Sequence, residues 1–285
     1  MPNDQLKSAK QVRTIAIASG KGGVGKTNIT ASLAIAMRKQ GKNVLIIDGD
    51  LGLSNIDILL DLRKNREKPE YTIKHLLDGA LPLKDILKTG PHGIKILPAG
   101  GGLQELTQLD EFQRLNLIEA FDAYDDDVDV LLIDTAAGIA ENVTFFCAAA
   151  QDIVVVTSPE PTAWVDAYRL IKVLNTEYQE SRFHILINSV KDEKEALSIY
   201  HNLTSVADKY LSVSLDYLGY LPYDDDVKQA VRAQKAFIDL FPKKFISTCI
   251  ADVARSLLER EVRIKGSLQF FIGNLLEAQS ASTDT

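Results

Sequence analysis

Thr14-Ile15-Ala16-Ile17-Ala18-Ser19 runs directly into Gly20-Lys21-Gly22-Gly23-Val24-Gly25-Lys26-Thr27, so an apolar stretch breaks into a glycine-rich turn ending in Gly-Lys-Thr. The apolar run reads as a buried strand. A helix is expected from about Lys26 to Gln40, with Gly41 at its C′ position. The turn satisfies G-x-x-x-x-G-K-[ST], which binds phosphate when it joins a strand to a helix. Its glycines let successive backbone N–H groups curl towards phosphate oxygens, and the helix N-terminus adds its dipole. Lys26 is expected to reach the β and γ phosphates of a nucleotide, and the Thr27 hydroxyl to ligate Mg²⁺. Gly20 to Thr27, with Asn28 behind them, are thus the candidate nucleotide-binding residues. A plain glycine-rich turn is the competing reading, but a chance match in such a chain is on the order of one in a hundred.

Outward from this loop, short apolar runs alternate with helical stretches. Asn43 to Asp48, Ile94 to Leu97, Val128 to Asp134, Ile153 to Thr157, Phe183 to Asn188 and Leu215 to Leu218 all read as strands. Strands apolar on both faces, separated by helices, specify an α/β fold: a mostly parallel twisted sheet flanked by helices. Two carboxylate groups end neighbouring strands, Asp48-Gly49-Asp50 and Asp134-Thr135-Ala136-Ala137-Gly138. Ligand sites of such sheets lie at those ends. A carboxylate after an apolar strand suits the Mg²⁺ shell, which assigns Asp48 and Asp134 with Thr27 to the metal. Asp50 lies on a loop able to approach the γ phosphate and orient a water. The pentapeptide YDDDV occurs at Tyr124 to Val128 and Tyr223 to Val227; one copy precedes a strand and the other a helix, so it is not an internal repeat.

Composition narrows the class. Of 285 residues, 46% are hydrophobic and 25% charged, which suits a sizeable core. The formal net charge of -7 gives no global attraction to nucleic acid. Cys147 and Cys249 are the only cysteines, so neither a disulfide framework nor a bridging iron–sulfur site is expected, and a cytoplasmic location is. His75, His92, His184 and His201 lack metal-ligand spacing. The expected organisation is a flexible segment 1–11, an ATPase domain 12–265, an amphipathic helix 266–278 and a disordered tail 279–285. The tail helix rests on Leu268, Phe271, Ile272, Leu275 and Leu276, which share one helical face. Such a face either docks on the protein's own core or lies in a membrane interface.

Lys21, a second lysine at the start of the loop, is by itself an ordinary surface residue. With it, however, GKGGVGKT resembles the deviant Walker A motif of the MinD/ParA class. The resemblance covers about Val12 to Leu276. It implies an ATP-sandwich homodimer in which Lys21 crosses to the partner's nucleotide, with ATP and Mg²⁺ as cofactors. Lys21, Lys26 and Asp50 are then the catalytic residues. Asp48 to Leu60 (DGDLGLSNIDILL) looks like a MinD-type switch I, and Asp134 to Ile139 (DTAAGI) like switch II without its usual proline. Glu160-Pro161-Thr162 and Gly219-Tyr220-Leu221-Pro222-Tyr223-Asp224 look like the flagellar branch, the FlhG/FleN family. This implies control of flagellar number and placement with an FlhF-like GTPase and a flagellar transcription activator. It also implies peripheral membrane contact at the cell pole through the tail helix. By the same resemblance Asn188, Pro222, Tyr223 and Asp224 border the adenine. The N-terminal Asp4-Gln5-Leu6-Lys7-Ser8-Ala9-Lys10 keeps two letters of the family's DQAxxLR-like motif and departs after them. Division-site control of the MinD type and ParA-type partitioning are the rival readings; the latter usually has a basic DNA-binding extension, and none is evident here.

Overall fold

A computed structural model describes residues 12–51, 55–62, 71–99, 109–261, 265 and 269–271. The strands are β1 (Arg13–Ser19), β2 (Val44–Gly49), β3 (Lys88–Thr89), β4 (Lys95–Leu97), β5 (Val130–Ala137), β6 (Asp152–Thr157), β7 (Arg182–Val190) and β8 (Ser214–Pro222). They form one eight-stranded sheet in the order β3-β4-β2-β5-β1-β6-β7-β8. Every neighbouring pair is parallel except β3–β4. The expected parallel α/β sheet is therefore present, and only the two-residue β3 escaped the sequence pattern. The chain leaves β1 towards β2 and later crosses back over it from β5 to β6. That reversal puts the topological switch point, where such sheets bind ligands, at the C-terminal end of β1.

The helices are α1 (Lys26–Lys39), α2 (Ile56–Leu59), α3 (Ile73–Leu77), α4 (Leu83–Ile86), α5 (Glu111–Asp122), α6 (Glu141–Ala148), α7 (Pro161–Tyr178), α8 (Glu193–Tyr210), α9 (Asp226–Arg232), α10 (Phe237–Leu240) and α11 (Phe245–Glu259). α1 ends as expected: Gly41 takes a left-handed φ of 82° and donates to the Arg38 carbonyl. Alternation along the strands divides the core into two layers. Ala16, Leu45, Ile47, Leu131, Ile133 and Ile185 face one side, with α5, α6 and α7. Ile15, Ile17, Ile46, Leu132, Val154 and Leu186 face the other, with α1, α10 and α11. Among the described residues no helix is long and apolar enough to cross a membrane.

Of the expected tail stripe, Leu268, Ile272, Leu275 and Leu276 lie outside the described residues, as do residues 1–11 and 279–285. Phe270 and Phe271 form a turn, with Phe271 at a left-handed φ of 59°. Both rings are buried against the domain: Phe121 of α5 meets them edge-on at 5.1 and 5.6 Å, and Phe146 of α6 stacks near Phe270. Their apolar surface is spent on the protein's own core.

A partly buried ionic network ties the opposite ends of four strands. Arg13 Nε donates to Asp152 Oδ2 at 2.8 Å, and His184 Nε2 lies 3.0 Å from Asp152 Oδ1. Asp216 takes Arg182 at 2.7 Å and Arg260 at 3.1 Å. Burial pushes the Asp152 carboxyl up, but the His184 hydrogen bond and the Arg13 guanidinium outweigh it and hold it below its ordinary range. A depressed carboxyl contributes stability that is present above its unfolded pKa and lost as the pH falls through the folded one. Asp152→Asn should therefore cost about 3 kcal/mol at neutral pH, in urea melts, because it removes the carboxylate that Arg13 and His184 share. The deficit should shrink only below about pH 4; an equal deficit at pH 7 and pH 3 would contradict this.

Candidate nucleotide-binding site

The C-terminal ends of β2, β5 and β1 bring the loop and the carboxylates together. Asp48 of β2 lies in register with Asp134 of β5, and Asp134 with Ile17 of β1. Each strand is apolar up to that point, so each carboxylate is the first polar group where its strand leaves the core. Both are buried.

The loop between β1 and α1 is shaped by glycines whose roles differ. Gly25, at the N-cap of α1, has φ 95°, a conformation that side chains rarely adopt. Gly20 is required by proximity: a Cβ there would lie 2.0 Å from the Asp166 carbonyl oxygen in α7. The loop is thus pinned between β1 and α7. Ser19 completes the curl, accepting from Lys26 Nζ at 2.8 Å and donating to the Lys21 carbonyl at 2.7 Å.

Lys26 is buried among these groups. Desolvation lowers its pKa, opposed by the negative charges of Asp134 and Asp50. Asp134 mirrors it. Burial pushes its carboxyl up to about 6, opposed by a hydrogen bond from Thr27, the Lys26 charge and a Thr30 hydroxyl at 3.1 Å. Asp50 is half-buried on the loop after β2, close enough to influence both charges. Thr27, Asp48 and Asp134 offer only hard oxygen donors. Among the described residues no three His, Cys, Asp or Glu side chains form a metal cage. That donor set fits Mg²⁺, which keeps phosphate and water oxygens as most of its ligands.

The expected adenine-bordering residues also converge. Asn188, near the end of β7, donates from Nδ2 to the Val24 carbonyl at 2.7 Å and so braces the phosphate loop. Pro222 ends β8 beside it, and the Tyr223 amide donates to Val190 at 2.8 Å. Tyr223 is exposed, and Asp224 accepts the Asp226 amide at 2.9 Å. Asn28 sits half-buried in the first turn of α1. Lys21 does not project freely: its ammonium contacts the Glu160 carboxylate, and Thr162 Oγ1 at 3.0 Å, at the start of α7.

Ser19 and Thr30 were not singled out by the sequence reading, and Glu160 entered it only through the flagellar-branch resemblance of Glu160-Pro161-Thr162, not as a partner of Lys21. Ser19 could have been, since it is the polar residue between strand and loop. Thr30 carries no such signal, and Glu160 is distant in sequence. Cys147 is fully buried, which pushes its thiol up to about 12 and makes it a packing residue.

A parallel sheet with a strand–phosphate loop–helix unit at its switch point, a buried lysine and two strand-end carboxylates defines a P-loop nucleotide-binding protein. Residues 15–237 match the CobQ/CobB/MinD/ParA nucleotide binding domain, and the chain belongs to that family. It is 39% identical to the antiactivator FleN of Pseudomonas aeruginosa over 96% of each chain. It is 30% identical to the flagellum site-determining protein YlxH of Helicobacter pylori, covering 95% of this chain and 92% of that one. Among solved structures it superposes on the MinD cell division protein of Aquifex aeolicus with a TM-score of 0.71 and 26% identity, over 89% of this chain and 100% of that one.

Without ligand, the ionised Asp134 destabilises the fold above about pH 6, and this penalty fades as the pH falls towards 4. Asp134→Asn should therefore lack the loss of stability that the wild type shows as the pH rises from about 4 to about 6. It should also lose most of the stabilisation that Mg²⁺ with nucleotide gives the wild type. Thermal melts with and without Mg·ADP, at about pH 4 and about pH 6.5, check both; a variant whose stability falls over that pH range as much as the wild type's would contradict the first.

Proposed function

We propose that this chain is an ATP-dependent dimerising ATPase that regulates flagellar number and placement. The observation that carries the ATPase reading is the buried Lys26 held by Ser19 opposite Asp134 and Asp50, at the mouth of a glycine loop. The flagellar assignment rests on likeness along nearly the whole chain to the flagellum site-determining protein YlxH, together with that to the antiactivator FleN.

In this reading the backbone amides of Gly20 to Thr27 and the Lys26 ammonium take the β and γ phosphates of ATP. Mg²⁺, held by Thr27 with Asp48 and Asp134, neutralises phosphate charge when bound. Asn188 with the Pro222 to Asp224 loop borders the adenine, and Asn28 lies beside the phosphates. Two subunits close face to face, and Lys21 of each reaches the partner's phosphates, adding positive charge as an arginine finger does. Asp50 orients a water whose oxygen attacks the γ phosphorus; the β–γ bridging P–O bond breaks and ADP and phosphate leave. Hydrolysis is slow until a partner accelerates it, and it reopens the dimer.

The proposed partners are an FlhF-like GTPase and a flagellar transcription activator, the latter in keeping with the name antiactivator. The proposed location is the cytoplasm, with peripheral contact at the membrane of the cell pole through the C-terminal segment. Direct DNA binding is not proposed, given the charge of -7.

Deleting the gene should raise the number of flagella per cell or scatter them; an unchanged count with misplaced septa would move the protein to the MinD branch. Lys21→Ala should bind ATP without dimerising, and ATP-dependent dimers of this variant in gel filtration would exclude the trans role. Asp50→Ala should dimerise on ATP and lose hydrolysis by at least about a hundredfold, the lower end of what positioned general catalysis contributes. Wild-type turnover in Asp50→Ala would remove Asp50 from catalysis.

A further inference from the structure

We propose that Glu160 and Thr162 are positioning residues that hold Lys21 within its own subunit, so that dimerisation must first open this contact. The inference rests on the dimer reading above and concerns the regulation of that same site.

The Lys21 ammonium contacts the Glu160 carboxylate and lies 3.0 Å from Thr162 Oγ1, so two of its three donors are engaged in cis. The backbone on both sides of the contact is fixed. Gly20 packs against the Asp166 carbonyl in α7, leaving no room for even a Cβ. Ser19 holds the Lys21 carbonyl at 2.7 Å. The backbones of α7 and the loop are therefore held against each other, and the contact opens through the Lys21 and Glu160 side chains alone. Glu160 sits at the N-cap of α7, yet its side chain makes no capping bond, which leaves the carboxylate to Lys21.

The contact is also built to open. The side chains of Lys21 and Glu160 are 33% and 66% exposed, so water replaces either partner readily. A lysine bound to this carboxylate cannot at the same time serve a phosphate in a second subunit. Glu160 thus competes with the partner's nucleotide for one cation, and monomers are favoured until phosphate charge outbids the carboxylate. Exposed ion pairs shift an equilibrium by about two- to fivefold. A symmetric dimer opens two of them, so the dimer Kd is raised about four- to twenty-fivefold.

Sedimentation equilibrium of the full chain with Mg²⁺ and the slowly hydrolysed analogue ATPγS tests this. Glu160→Gln should lower the dimer Kd by about four- to twenty-fivefold, and Thr162→Val should lower it less. Both variants should keep the wild-type affinity for ADP and the wild-type melting temperature, readouts that a merely structural role would move. A dimerising wild type with an unchanged or weaker Glu160→Gln dimer would overturn the latch and leave the dimer intact. A wild type that stays monomeric on ATPγS would remove the dimer reading, and the latch with it.

Discussion

A buried ammonium facing a buried carboxylate, Lys26 and Asp134, is the constraint on which the rest of the site depends. Burial pushes each towards its neutral form, the lysine down and the carboxyl up to about 6, and each opposes the shift in the other. Charges held this way carry a desolvation cost that their mutual attraction only partly offsets. Ser19, Thr27 and Thr30 provide the hydrogen bonds that make the arrangement tolerable without ligand. Stability must then come from elsewhere: the two apolar layers on the sheet and the ionic network at the far ends of β1, β6, β7 and β8.

The same sheet end connects the site to distant parts of the chain through packed atoms. Gly49, between Asp48 and Asp50, lies so close to Phe146 of α6 that a Cβ there would meet the ring at 3.2 Å. Phe146 in turn stacks near Phe270 with 6.5 Å between centroids, and Phe121 of α5 contacts both Phe270 and Phe271. A row of neighbouring aromatic rings therefore runs from the strand-end carboxylates to the last described residues. On the other side of β1, Gly20 presses on α7 and Asn188 braces Val24, so the phosphate loop is held from both flanks.

The sheet and its phosphate loop were legible because hydrophobic period and glycine spacing are local properties. Among the described residues seven of the eight strands stand out as apolar runs; β3 does not, because two residues cannot show a period. Thr27 and the carboxylates were legible from position, each falling at the end of a strand or the start of a helix. The hydroxyl bonds of Ser19 and Thr30 were not, since a single serine or threonine on an apolar element carries no pattern. The Lys21–Glu160 contact joins residues 139 apart in sequence and depends on how α7 folds back over the loop. For the tail, an apolar stripe states that a face will be covered but not by what. Phe270 and Phe271 are covered by α5 and α6 of the same chain.

The central claim, that each site is completed by Lys21 from a second subunit, is tested most directly by mixing two inactive variants. Lys21→Ala chains keep Asp50, and Asp50→Ala chains keep Lys21, so a mixed dimer contains one site with its own Asp50 and a lysine supplied across the interface. The mixture should hydrolyse more ATP than the sum of the two variants measured alone. A mixture no more active than that sum, under conditions where the wild type turns over, would contradict it.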